Sequence, residues 1–248
     1  MAESTPKTRR RWCQFRLRTL LLVTAVLCVP LAWVGVRMNQ KRQERAVIAE
    51  IERLGGIVKY EWEGVRVEGV WQHAFSLDFE PTGPHWIRQI VGDDFFSEVV
   101  FVALSPSEYS NVRFHRTWTP NLPESDTDPT VKDDDLRLVG TLSNLDELNL
   151  TKTEIGDAGL VHLQGQSKLR CLTLQSTRIT DAGLIHLRPL AALRELYLGN
   201  TEITDVGLQH LKSLTALKCL VLYGTKRTTA GVDDLAKALP GCEFSGRP

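Results

Sequence analysis

Leu145–Leu163 reads LDELNLTKTEIGDAGLVHL, and three more copies follow it: LRCLTLQSTRITDAGLIHL from Leu169, LRELYLGNTEITDVGLQHL from Leu193 and LKCLVLYGTKRTTAGVDDL from Leu217. The period is twenty-four residues, so Leu145, Leu169, Leu193 and Leu217 align, as do Leu148/172/196/220, Leu150/174/198/222 and Thr153/177/201/225. In extended chain, alternate residues share a side, so the second and third leucines of each LxxLxL stack into a core ladder. One copy cannot bury that ladder, whereas stacked copies can. The threonine that ends each strand can give its hydroxyl to neighbouring backbone where the chain turns. Thr180-Asp181 and Thr204-Asp205 offer N-cap side chains for a helix beginning at Ala182 or Val206. Gly183 and Gly207 allow close packing, and Leu184 with Leu187 bury one helical face.

The ends of the array obey the same pattern. Val131–Leu136 (VKDDDL) aligns with Ile155–Leu160 (IGDAGL) one period earlier, and Val99, Val102 and Leu104 keep the spacing of the leucine triplet. A first repeat is therefore expected from Val99, split by an insertion at 105–130. Leu239–Phe244 (LPGCEF) reads as a final partial strand, with Cys242 near a leucine position and acting as a small hydrophobe.

A fixed period carrying LxxLxL is the signature of a leucine-rich repeat. The expected fold class is α/β: a leucine-rich repeat solenoid over residues 99–248, with parallel strands on a concave face and short helices on a convex face. The TxITDAGLxHL units resemble those of bacterial leucine-rich repeat proteins of the cysteine-containing, ribonuclease-inhibitor-like subclass. The wider layout resembles a group of bacterial membrane-anchored repeat proteins, carried here by Arg18-Thr19-Leu20, Gly55-Gly56 and Gly92-Asp93-Asp94-Phe95-Phe96. That resemblance implies a fold and an envelope location, without a ligand or a reaction. The chain departs from the pattern in its insertion and in its last copy, where Arg227 and Thr229 replace Ile and Asp.

Charge divides the chain. Residues 1–45 carry ten Lys or Arg against Glu3 and Glu44, whereas residues 46–248 carry twenty against twenty-eight acids. An acidic body repels a phosphate backbone, so no nucleic-acid partner is expected. Within the basic head, Leu20–Val36 is an uncharged run of seventeen residues between Arg18 and Arg37. That is the short end of what spans a bilayer, and snorkelling arginines extend it. It reads as an uncleaved transmembrane helix behind a basic cytoplasmic head (1–19). A cleaved signal peptide is the competing reading, but the exit, Trp33 to Arg37, lacks a small-residue cleavage site. The denser positive charge before the span places the N-terminus in the cytoplasm and the repeats outside. Three cysteines in the body (Cys171, Cys219, Cys242), which cannot all pair, weigh against an oxidising location.

Between span and repeats, residues 37–56 read as a juxtamembrane helix with Val47, Ile51 and Leu54 on one face, ended by Gly55-Gly56. Residues 57–98 read as a small α+β capping segment: strands at Ile57–Trp62 and Val65–Val70 forming a hairpin near Glu63-Gly64, then a short helix at Pro84–Val91. Its aromatics (Trp62, Trp71, Phe75, Phe79, Trp86, Phe95, Phe96) are suited to covering the open end of a solenoid.

With the leucines inside, the intervening strand residues face the open concave side: Glu147, Asn149 and Thr151; Cys171, Thr173 and Gln175; Glu195, Tyr197 and Gly199; Cys219, Val221 and Tyr223. Tyr197 and Tyr223 are the expected anchors for a protein or cell-envelope partner. Tyr109, Phe114, His115, Arg116 and Trp118 of the insertion are a second candidate surface. Cys171 and Cys219, two strands apart at roughly 9–10 Å, are too distant for a disulfide. His162, His186 and His210 recur on the convex side, spaced too widely to share a metal ion. No GxSxG, GxxxxGK[ST], HExxH or CxxC occurs. The expectation is a binding protein with no cofactor, with a self-associating envelope component as the alternative and an enzyme a distant third.

Overall fold

The computed structural model describes residues 9–60, 65–67, 70–72, 88–89, 92–95, 98–104 and 131–246, with the side chains of 9–27, 29–30, 65–67, 70–72 and 93 excepted. The chain divides into two units, 1–43 and 44–248. Helix α1 runs over Arg9–Arg53, so the helix expected at 37–56 is the end of a longer one. Among the described residues no helix is long and apolar enough to cross a membrane; most side chains of the span expected at 20–36 lie outside the described ones.

The end of α1 is written into the sequence. Gly55 takes a left-handed conformation (φ 76°) that costs glycine nothing. The Gly56 N–H then bonds the Ile51 carbonyl at 2.8 Å and the Gly55 N–H bonds that of Glu52 at 2.9 Å, a Schellman cap. Ile48 and Ile51 are buried in the core, with Val47 packed against it. Ile48 thus joins Val47 and Ile51 on the buried face, where Leu54 was expected and is only half-buried. Arg45 clasps Asp94 through both carboxylate oxygens, its Nε at 2.7 Å, and Phe95 is buried beside this clasp. Part of the GDDFF stretch is thereby tied to the helix end.

Seven strands form one sheet in the order β1-β4-β5-β6-β7-β8-β9: β1 (Ile57–Tyr60), β4 (Val99–Ala103), β5 (Glu147–Asn149), β6 (Cys171–Thr173), β7 (Glu195–Tyr197), β8 (Cys219–Val221) and β9 (Glu243–Ser245). From β4 onward every pair is parallel, with Val102, Leu148, Leu172, Leu196, Leu220 and Phe244 in one row. The first repeat therefore begins at Val99 and the last strand closes at Phe244, as the spacing predicts. The insertion that separates β4 from Val131 lies outside the described residues.

The expected hairpin is a correction. β1 pairs antiparallel with β4, Val58 opposite Val102, while β2 (Val65–Val67) pairs with β3 (Val70–Gln72) in a separate two-stranded sheet. The first repeat would otherwise present a bare sheet edge, and β1 occupies it. Adjacent strands in sequence lost to an open edge distant in sequence. Of the expected helix at 84–91, Arg88 and Gln89 are described and helical.

The convex side is built from short helical pieces: Leu136–Gly140, Asp157–Leu160, Asp205–Leu211 and Thr229–Ala238 are α-helical, and Val161–Leu163 and Gly183–Leu187 are 3-10 turns. Leu160, Leu184, Leu208, Leu163, Leu187 and Leu211 are wholly buried against the strand leucines. Each strand turns toward this side at a left-handed residue, Lys152, Ser176, Asn200 or Gly224 (φ 55–67°). The next residue is the repeated threonine, whose hydroxyl donates to the carbonyl of Leu150, Leu174, Leu198 or Leu222 at 2.6–2.8 Å.

One device joins the repeats outside the core. Asp157 accepts from the Thr180 N–H at 2.8 Å and from its hydroxyl at 2.6 Å. Asp181 accepts from the same two groups of Thr204, and Asp205 from those of Thr228. Asp133 begins the series by accepting from the Gly156 N–H at 2.7 Å, which bears out the alignment across the insertion. In the last three of these turns the N-caps come from threonines, Thr180, Thr204 and Thr228 accepting from the Ala182, Val206 and Gly231 N–H groups. The aspartates, expected to share that task, reach to the next repeat instead. A Cβ on Gly183, Gly207 or Gly231 would collide with the preceding repeat's Asp157, Asp181 or Asp205.

Gly207→Ala is accordingly expected to cost about 1–3 kcal/mol, the usual penalty for overpacking. Combined with Asp181→Ala it should cost less than the sum of the two changes, because the collision and the hydrogen bonds share one carboxylate. Urea unfolding of the two single variants and the double variant measures this; strict additivity would contradict it.

Candidate binding face

Strand register arranges the intervening residues into rows. One runs Phe101, Glu147, Cys171, Glu195, Cys219, Glu243; the next runs Ala103, Asn149, Thr173, Tyr197, Val221, Ser245. Thr151, Gln175, Gly199 and Tyr223 continue the pattern two residues further along.

The face is not uniformly open. Glu147, Asn149, Thr151, Cys171, Thr173 and Gln175 are all buried, none more than 7% exposed. The expectation of an open concave side therefore fails over β5 and β6. Glu195, Tyr197, Cys219 and Val221 are half-buried, and Tyr223 is 42% exposed. Access to the face lies over β7 to β9. Tyr109, Phe114, His115, Arg116 and Trp118 lie outside the described residues.

Two buried polar residues of the closed half, Asn149 and Thr151, bond to each other. Asn149 Oδ1 accepts from the Thr151 N–H at 3.0 Å and from its hydroxyl at 2.7 Å. In the open half, Tyr197 donates to Glu195 Oε2 at 3.2 Å. Burial first, then the nearby Cys171, Glu195 and Cys219, hold the Tyr197 phenol above its ordinary value, so it remains a neutral donor. Tyr223 donates across two strands to Gln175 Oε1 at 3.0 Å.

Cys171, Cys219 and Cys242 are free thiols. Burial, followed by Glu195 and Glu243, raises Cys219; burial, followed by Cys219 and Glu243, pushes Cys242 up to about 11. Cys242 packs against the core but is only half-buried, less enclosed than its place near a leucine position suggested. Such thiols carry little thiolate at neutral pH and are poor nucleophiles and ligands.

On the convex side His186 Nδ1 accepts from Gln164 Nε2 at 2.8 Å. No three of His, Cys, Asp or Glu converge as a metal site among the described residues. Gln166 is a residue that the repeat pattern did not single out. It stands where other copies have Leu190 and Leu214, is buried, and donates to the Val139 and Leu142 carbonyls at 3.1 and 2.8 Å. The sole signal for it in the sequence is its break with the leucine column.

A family model described as Leucine Rich repeat matches residues 141–163 and 192–212. No curated protein matches the chain by sequence. Among solved structures, an internalin from Listeria monocytogenes is similar at 22% identity and a TM-score of 0.39, over 44% of this chain and 30% of that one. Internalin C2 from the same organism is similar at 28% identity and a TM-score of 0.38, over 44% of each chain. A leucine-rich repeat protein of Leptospira interrogans is similar at 22% identity and a TM-score of 0.36, over 44% of this chain and 27% of that one. The chain thus spans less than half of each of these structures. The repeat register, the leucine columns and the family match make the domain a leucine-rich repeat solenoid.

The raised Cys242 predicts how its alkylation depends on pH. Followed on the Cys242 peptide by mass spectrometry, its rate with iodoacetamide should rise about fiftyfold between pH 9 and about 11, in proportion to the thiolate, where a thiol of ordinary value 9.0 rises about twofold. A rise of about twofold over that interval would contradict the enclosure of this thiol.

Proposed function

We propose that this chain is a tethered binding module that engages a protein or cell-envelope partner through the part of its concave face over β7 to β9. The observation that carries the reading is the division of that face. Its first half is closed, and its second half presents Tyr197 and Tyr223 beside Glu195 (half-buried) and Glu243 (exposed). Aromatic side chains anchored by hydrogen bonds lose little entropy on binding and are over-represented at the centres of interfaces. Catalysis has less support, because the repeated aspartates are engaged in holding successive repeats together.

Replacing Tyr197 and Tyr223 together with alanine should abolish capture of partners by the full chain in a cross-linking pull-down from cell-envelope extracts. Retention of every captured partner would refute the concave-face reading. Self-association is the second reading, favoured by β9, whose outer edge pairs with no strand among the described residues. Sedimentation of the purified chain as a monomer throughout the micromolar range would dismiss it.

Tethering rests on the uncharged run at 20–36, and the outward placement of the repeats on the denser positive charge before it. Protease added to intact cells should digest the repeats. Their full protection, with digestion restored on lysis, would reverse that orientation.

A further inference from the structure

The repeats carry charge at two edge positions and fill them by opposite rules. Beyond the strands, one position holds Glu154, Arg178, Glu202 and Lys226. Signs alternate there and neighbours pair: Arg178 Nη2 lies 2.9 Å from Glu154 Oε1, and Lys226 pairs with Glu202. Immediately before the strands, the other position holds Asp146, Arg170, Arg194 and Lys218. Their backbones stack directly, the Arg170, Arg194 and Lys218 N–H groups bonding the Asp146, Arg170 and Arg194 carbonyls at 2.7–2.8 Å. Alternation stops here after the first pair. Arg170 reaches Asp146 at 3.4 Å, whereas among the described residues no ion pair engages Arg194 or Lys218, and both are exposed.

Two like charges one strand apart, roughly 5 Å, weaken a sheet, so the stack gains nothing from them. Lys168, two residues before Arg170, adds a cation whose ammonium meets a neutral partner, the Asn144 amide oxygen. The acids close by are otherwise placed. Asp146 holds Arg170, and Glu195 and Glu243 belong to the concave row one residue further along the chain. Of these, Glu195 accepts the Tyr197 hydroxyl at 3.2 Å.

We propose that Arg194 and Lys218 bind the carboxylates of an acidic segment of a partner protein, at the edge of the sheet and independently of the concave-face tyrosines. Charge decides the class of partner. The body carries twenty basic residues against twenty-eight acids in 46–248, which repels a dense phosphate chain. Two adjacent cations suffice for a short acidic run. In extended chain, alternate side chains stand about 7 Å apart on one side. Two long basic side chains rooted roughly 5 Å apart reach that spacing. The Arg194 guanidinium takes one carboxylate through two parallel N–H bonds, and Lys218 takes the next as a point charge.

The test is calorimetric titration of the full chain, in neutral detergent at low salt, with an acetylated, amidated Ser-Asp-Ser-Asp-Ser-Asp-Ser peptide. Residues 1–45 are themselves basic, so the site is read from variants and from where carbodiimide couples the peptide. Arg194→Gln with Lys218→Gln should weaken binding at least tenfold. Arg178→Gln with Lys226→Gln, which removes the paired cations of the other edge, should change it less than twofold. Mass spectrometry should find the peptide joined to Lys218. The thermal midpoint of the Arg194→Gln, Lys218→Gln chain should equal or exceed that of the unaltered chain, because two uncompensated like charges are gone. Undiminished binding by that double variant, coupling that spares Lys218, or polyphosphate bound more tightly than the peptide overturns the proposal. So does a midpoint lowered by several degrees, which would make the two cations supports of the stack.

Discussion

An aspartate that leaves its own repeat to accept two hydrogen bonds from the next one's threonine is the constraint on which this solenoid depends. Leucine columns supply the greater part of the stabilisation, since burial of apolar surface dominates folding. Yet leucines alone tolerate sliding, because one buried leucine resembles another. The pairs Asp157–Thr180, Asp181–Thr204 and Asp205–Thr228 do not. Each fixes one repeat against its neighbour at a single register and satisfies a backbone N–H that the turn would leave orphaned. The glycine three residues after each threonine completes the arrangement by leaving room for the incoming carboxylate.

A stack held this way has two ends and two faces, and the chain treats each differently. The first edge is covered by an antiparallel strand from outside the repeats, β1 on β4. The last ends on β9, three residues long, and short edge strands resist uncontrolled pairing. The concave face is closed over β5 and β6 and accessible over β7 to β9, so the recognition proposed above for that face is confined to a few residues. A small patch makes the rigidity of each aromatic count for more, because few contacts share the entropic cost of binding.

What was legible in the sequence was whatever repeats. Periodicity alone located the leucine columns, the threonine turns, the first strand at Val99 across the insertion and the last at Phe244, because stacking requires equal spacing and the spacing is printed in the chain. The partner of β1 was not legible: hairpin pairing is judged from neighbours, and the competing edge at β4 lies some forty residues away. Nor was the reach of the aspartates, since Thr-Asp before a helix reads locally as a cap and the second acceptor appears once a next repeat stands beside it. The closing of half the concave face was invisible for the same reason, as alternation shows which side a residue faces and nothing of what covers that side.

The candidate site lies where the copies disagree. In the outermost concave position the four repeats carry Thr151, Gln175, Gly199 and Tyr223, and these differences form one unit: the ring of the last lies on the absent side chain of the third and bonds the amide of the second. Positions held constant from copy to copy answer to the stack, and a residue there is chosen for fitting its own image one period away. Positions released from that demand can be chosen jointly for an outside partner. Tyr223 illustrates the distinction, since nothing in the leucine, threonine or aspartate columns requires an aromatic there. The last copy, degenerate in its helix signals at Arg227 and Thr229, is also the one that supplies the most exposed aromatic of the concave face among the described residues. Its looser conformity to the repeat leaves it free for the binding proposed above.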